Sequence, residues 1–207
     1  MAKITVIGAA EAQVPADQAD VFASASFRDA SRETALQGAN AAHARLVERA
    51  KALVAEGVAL QYIADPVSTY SNSWRDEQGA NVVEHQAHAN VRIVLTALDR
   101  VGDVAAELTD GGADVRVQWE LGDALRSEST RNLRSAAVQD ARTAAEDFAA
   151  AIGATTLTLL SLSDGRSSGG PSPVGDARFA MAAAAAPEVT VGQIAVGVRV
   201  EATFTAE

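Results

Sequence analysis

The sequence predicts an α+β fold: mostly antiparallel sheets with two long helices and one short helix packed on them. Two observations carry this. Several segments alternate apolar and polar residues with period two, as half-buried strands do. Between them, two long stretches and a short one repeat apolar residues at steps of three and four, the spacing of one helix face. Strands come in antiparallel pairs with helices between them, in the order β-β-α-β-β-α-β-α-β-β, which places helices on one face of the sheets. The 207 residues suit one domain, or two intimately packed halves of about 1–85 and 86–207.

The clearest helix runs from Asn132 to Gly153. Leu133, Ala137, Ala141, Ala144, Phe148 and Ile152 make its apolar stripe, and Ser127 and Ser129 are both candidate caps. A stripe so rich in alanine lets a sheet approach closely. The strands expected to form that sheet are Val115–Leu121, Thr156–Leu162 and Ile194–Phe204.

Taken in order, Ile4 to Ile7 make a first strand ended by Gly8, and Val14-Pro15-Ala16-Asp17 makes a turn. From Asp20 to Arg28, Val21, Ala23, Ala25 and Phe27 alternate with Ser24, Ser26 and Arg28, a strand in which Phe22 interrupts the polar face and marks a second contact. Ser31 can cap the next helix, with Glu33 in its first turn. Its stripe is Leu36, Ala39, His43, Leu46, Ala50 and Leu53, and Gly57 is a natural stop. Leu60–Ile63 and Val67–Trp74 read as extended, interrupted by Asp65-Pro66, and the chain returns from Val82 to Leu95 across a polar loop at 75–79, which makes a long antiparallel hairpin. Leu98–Asp110 is the short helix, closed by Gly111-Gly112, and a strand follows at Val115–Leu121 with Trp119 at an inward position. Residues 163–187, rich in Gly, Ser, Pro and Ala, read as a mobile loop.

Composition excludes some functions. Hydrophobic residues make up 48% and aromatic ones 4%, so the core is built from Val, Leu, Ile and Ala. A net charge of −10 repels phosphate backbones, so no nucleic-acid partner is expected. Without cysteine there is no disulfide, thiolate metal site or cysteine nucleophile. No segment approaches the ~20 apolar residues of a membrane span. The N-terminus MAKITVIGAAEA is no signal peptide, so the expected location is cytoplasmic for the chain as given, and periplasmic or secreted if a leader was removed.

Four stretches resemble a known family. Ile4-Thr5-Val6-Ile7-Gly8 with Val14-Pro15-Ala16-Asp17 is similar to a V-x-G segment and V-P-x-D turn. Asn90-Val91-Arg92-Ile93 through Leu98-Asp99-Arg100-Val101-Gly102 resembles a strand leading into a "DLDxVG" helix start. Ala136 to Glu146, AAVQDARTAAE, resembles an "AVxDAxxKAE" helix. Val191-Gly192-Gln193-Ile194 and the strand after it resemble a "PGxxxVxxxVxVxF" ending. In this order they identify the chain as resembling the SIMPL-domain proteins, a group that includes bacterial periplasmic immunogenic proteins. Glu84-His85-Gln86 stands where that family often has Gly-Tyr, and Thr143 where it usually has lysine. The resemblance implies an α+β fold, self-association into ring-like or channel-like assemblies, and no established catalytic activity.

The residues themselves offer little chemistry. His43 falls on a helix stripe and reads as a hydrogen-bonded core histidine. His85 and His88 are three apart in a strand and point to opposite faces, so they cannot clasp one metal. There is no G-x-S-x-G elbow, and GRSSGG at 165–170 lacks the lysine and the context of a phosphate loop. Asp76/Glu77 and Glu146/Asp147 read as a loop pair and a solvated helix face. No catalytic residue, cofactor or metal ligand is therefore expected. Tyr70, Trp74 and Arg75, with Asn72 on an exposed hairpin, form a candidate interface; the alternative is that the tip folds back on its own sheet. The expected function is a non-catalytic self-assembling or interaction protein connected with stress or the cell envelope, a homo-oligomer with a further protein partner open. The alternative is a small-molecule or peptide-binding module using a groove between helix and sheet.

Overall fold

The computed structural model describes residues 2–165 and 189–207. These divide into two compact units.

The first unit joins both ends of the chain. Strand β1 (Ala2–Pro15) pairs antiparallel with β8 (Gln193–Ala206), and β8 pairs with β7 (Leu157–Gly165), giving a three-stranded sheet β1-β8-β7. On β8 the residues Ile194, Val196, Val198, Val200, Ala202 and Phe204 are buried, as their strict alternation requires. Helix α3 (Asp123–Ala151) packs on β1 and β8.

Four expectations for this unit are corrected. β1 does not stop at Gly8 but runs through it, because Gly8 sits under α3. A Cβ there would stand 2.0 Å from the Ala137 carbonyl oxygen and 2.7 Å from the Ala141 Cβ. Helix α3 starts earlier than expected, with Gly122 at its N-cap, so Ser127 and Ser129 lie inside it. Its buried stripe is Leu133, Ala137, Ala141, Ala145 and Ala149, all steps of four, while Phe148 and Ile152 are 59% and 58% exposed. Steps of four drift around a helix of 3.6 residues per turn, so the contact line runs obliquely across α3 and leaves those two outside it. Finally, the strand expected at 115–121 belongs to the other unit's sheet. Of the mobile loop expected at 163–187, residues 163–165 extend β7, and the rest lies outside the described residues.

The second unit is a five-stranded antiparallel sheet with two helices on one face. Its central strands are β2 (Gln18–Asp29) and β5 (Asn81–Leu95). β6 (Asp114–Glu120) pairs with β2, while β3 (Ala59–Ala64) and β4 (Ser68–Arg75) pair with successive halves of β5. Helix α1 (Arg32–Ala55) is capped by Ser31, whose Oγ accepts the Thr34 N–H, and is followed by Gly57 at φ +74°. A 3-10 turn at Leu98–Arg100 leads into α2 (Val101–Asp110), whose buried residues Val101, Val104, Ala105 and Leu108 lie on one helix face.

The main core joins Val21, Ala23, Val91, Ile93, Leu95 and Val117 of the sheet to Leu46, Ala50 and Leu53 of α1 and to α2. Trp119 packs against it, as its inward position predicts. A smaller cluster, Ala35, Ala39 and Ala87 with Phe27 and Val67, lies nearer the start of α1. Among the described residues, no helix is long and apolar enough to cross a membrane.

Candidate functional site

The second unit offers two features that could contact a ligand or partner. The first is the sheet face turned away from the helices. Pairing aligns Ile63, Arg92, Phe22 and Arg116 in one row across β3, β5, β2 and β6. The Phe22 ring lies under two guanidinium groups, 5.7 Å from Arg92 and 4.8 Å from Arg116. This is the second contact that the break in the polar pattern at Phe22 marks. Arg92 also pairs with the buried carboxylate of Asp20.

Further along the same face, the Tyr70 hydroxyl bonds to Gln86 Oε1, and Gln86 Nε2 donates to Ser26 Oγ at 2.9 Å. The His88 ring stacks on Tyr70 with centroids 5.4 Å apart. Tyr70 and Trp74 are partnered with Gln86 and Val82, so both lie on this face, and they are 48% and 47% exposed. Arg75, partnered with Asn81, alternates to the opposite face. The structure thus places Tyr70 and Trp74 on one face, four residues apart along β4, and sets Arg75 on the other. Tyr70 is held against its own sheet by the Gln86 bond, and Asp76 Oδ1 accepts the N–H groups of Gln78 and Ala80 to close the loop behind Trp74.

The second feature is a trough of about 420 Å³ on the helix side. Ala25 and Phe27 of β2 form its floor, Ala42, Arg45, Leu46 and Arg49 of α1 one wall, and Glu107, Leu108, Gly111, Gly112 and Ala113 at the end of α2 the other. It exists because two elements stop short. β6 pairs with β2 only as far as Ser24, and α2 ends at Asp110, so the outer part of β2 lacks their cover. Ala25 and Ala42 are buried yet belong to neither core cluster, and small residues there leave the space unfilled. Arg49 bridges Glu107 and Glu56 at 2.7 and 2.9 Å, and its hydrogen bond to Glu107 raises its already high pKa. The Arg45 side chain makes no ion pair or hydrogen bond among the described residues.

A family model for SIMPL, a protein of unknown function (DUF541), matches residues 4–204. The chain belongs to the SIMPL family. No curated protein matches it.

The stretches that mark a SIMPL chain prove to be packing devices. Gly8 of the V-x-G segment touches Ala137 and Ala141 of the AVQDA helix, and Asp140 of that helix accepts the Ala9 N–H at 2.9 Å. Ala16 of the V-P-x-D turn donates its N–H to the Gly192 carbonyl in the closing segment. Of the histidines, His43 is half-buried on α1, but its buried Nε2 finds no hydrogen-bond partner among the described residues, so the expected bond is missing at that nitrogen there. Among the described residues, no group of three or more His, Cys, Asp or Glu could hold a metal ion. The trough, and an Arg45 side chain unpaired among the described residues, have no signal in the sequence, because both depend on where β6 and α2 end in space.

Proposed function

We propose that this SIMPL protein is a non-catalytic, self-assembling interaction protein, and that strand β4 with the sheet face away from the helices makes the contact. The observation that carries this reading is the pair Tyr70 and Trp74. They are two large, half-exposed aromatics on one face of a strand that, among the described residues, is hydrogen-bonded on one side only, to β5. Exposed aromatics supply large contact area at low entropic cost, and an edge strand offers unpaired N–H and C=O groups to a partner strand. The non-catalytic part rests on the two ion pairs that border these features. Asp20–Arg92 and Arg49–Glu107 are acid–arginine pairs, and arginine stays protonated in proteins, so neither pair passes a proton.

Light scattering of the full chain at micromolar concentration tests the assembly. A mass of more than one protomer is expected, falling toward one protomer in Trp74→Ala. A single-protomer mass for the unaltered chain at every concentration would sink the reading.

The trough supports a second reading, a small-molecule or peptide-binding module, because it is a concave apolar site with a few polar groups at its rim and lies within the usual ligand-pocket range of roughly 300–1,000 Å³.

A further inference from the structure

We infer that the trough binds a small amphipathic carboxylate, an apolar chain carrying one carboxylate head, with Arg45 taking the head. The inference deepens the second reading above and rests on it. Of the two arginines on the α1 wall, Arg49 already has its guanidinium between Glu107 and Glu56. Arg45, one turn earlier, lines the same trough with its guanidinium unmatched among the described residues. The chain carries 27 acidic and 17 basic side chains, so an unmatched arginine is not forced by a shortage of carboxylates. A planar guanidinium matches a carboxylate through two parallel N–H bonds, which a neutral head cannot use.

The floor then selects the rest of the molecule. Ala25, Phe27, Ala42, Leu46, Leu108 and Ala113 present carbon over its length. The main-chain N–H groups of Gly111, Gly112 and Ala113 are already bonded, to the carbonyls of Glu107, Thr109 and Leu108. No donor there is left to recognise a polar tail. Glu107, although paired to Arg49, puts negative charge at the far wall and opposes a second anionic group there. One charged head at Arg45 and a plain apolar body is the ligand that satisfies both ends.

Titration of the full chain with decanoate, followed by amide chemical shifts below its micelle concentration, tests this. Saturable shifts at Ala25, Ala42, Leu46, Leu108 and Ala113 are expected. Arg45→Gln, an exposed helix position where the fold is retained, is expected to weaken binding about tenfold, the scale of one charge-assisted pair. Arg45→Lys should recover part of that loss, and decan-1-ol should bind the unaltered chain about as weakly as decanoate binds Arg45→Gln. If decanol and decanoate bind the same residues equally well and Arg45→Gln changes nothing, the carboxylate assignment is overturned while the groove reading stands. If neither compound gives saturable shifts at these residues, both fall.

Discussion

The carbonyl oxygen of Ala137 lies 2.0 Å from the point where a Cβ on Gly8 would stand, and the Ala141 nitrogen lies 2.5 Å from it. Both are backbone atoms, so no side-chain rotation can relieve the clash. Helix α3 rests directly on β1 because this position has no side chain. Gly8→Ala must push the helix off the sheet and open the contacts of Ala137, Ala141 and Ala145. A loss of about 3 kcal/mol is expected, at the upper end of overpacking costs. Adding Ala141→Gly should not restore it, since the Ala137 carbonyl remains. Urea unfolding of the single and double variants measures both; a rescue would show that the Ala141 methyl is the obstacle.

The residue after Gly8 makes the companion contact. Ala9 lies on a strand that is at the sheet edge among the described residues, and its N–H finds an acceptor in Asp140 of α3 at 2.9 Å. The bond is solvent-exposed, so its contribution is modest. Asp140→Ala is expected to cost about 1 kcal/mol. Asp140→Asn keeps an acceptor oxygen and should cost less than half of that. Equal losses for the two, in the same denaturant series, would mean that the charge rather than the hydrogen bond matters.

Asp20 and Arg92 form an unequal ion pair: the Asp20 side chain is 4% exposed and that of Arg92 42%. Removing the carboxylate leaves a guanidinium that water can reach, and Phe22 still lies under it. Removing the guanidinium strands a buried carboxylate whose Oδ1 already lacks a partner among the described residues. Arg92→Ala is therefore expected to cost about 3 kcal/mol and Asp20→Ala about half as much. Thermal or denaturant melts at neutral pH decide it; the reverse order would show that Arg92 is the group that needs its partner.

Much of this was readable from residues alone. Period-two runs gave the strands, and Ser31 and Gly57 gave both ends of α1, because these signals act within a few residues of chain. Helix α1 matched in its second half, where Leu46, Ala50 and Leu53 are in the core as spaced, while in its first half Ala35 and Ala42 rather than Leu36 and His43 are buried. What escaped the sequence depends on partners distant in the chain. Gly8 reads locally as a strand end, yet its role is set by Ala137, over a hundred residues later. Arg75 reads as part of one cluster with Trp74, but adjacent strand residues face opposite ways. The trough is defined by where β6 and α2 stop, which no local pattern encodes.

Phe148 gives the sharpest separation between pattern and packing. Steps of three and four put it on the stripe of α3 with Ala141, yet it is 59% exposed while Ala145 is fully buried. An obliquely crossing helix buries whichever row follows the contact line, and here that row advances by four. Phe148→Ser should then change stability by no more than about 0.5 kcal/mol, as for an ordinary surface position. Ala145→Leu, conservative by hydropathy, adds volume where the helix meets β1 and β8 and should cost about 2 kcal/mol. Guanidinium unfolding of the two variants compares them directly. A larger loss for Phe148→Ser would mean that the ring is covered in solution and that the stripe follows the three-and-four spacing after all.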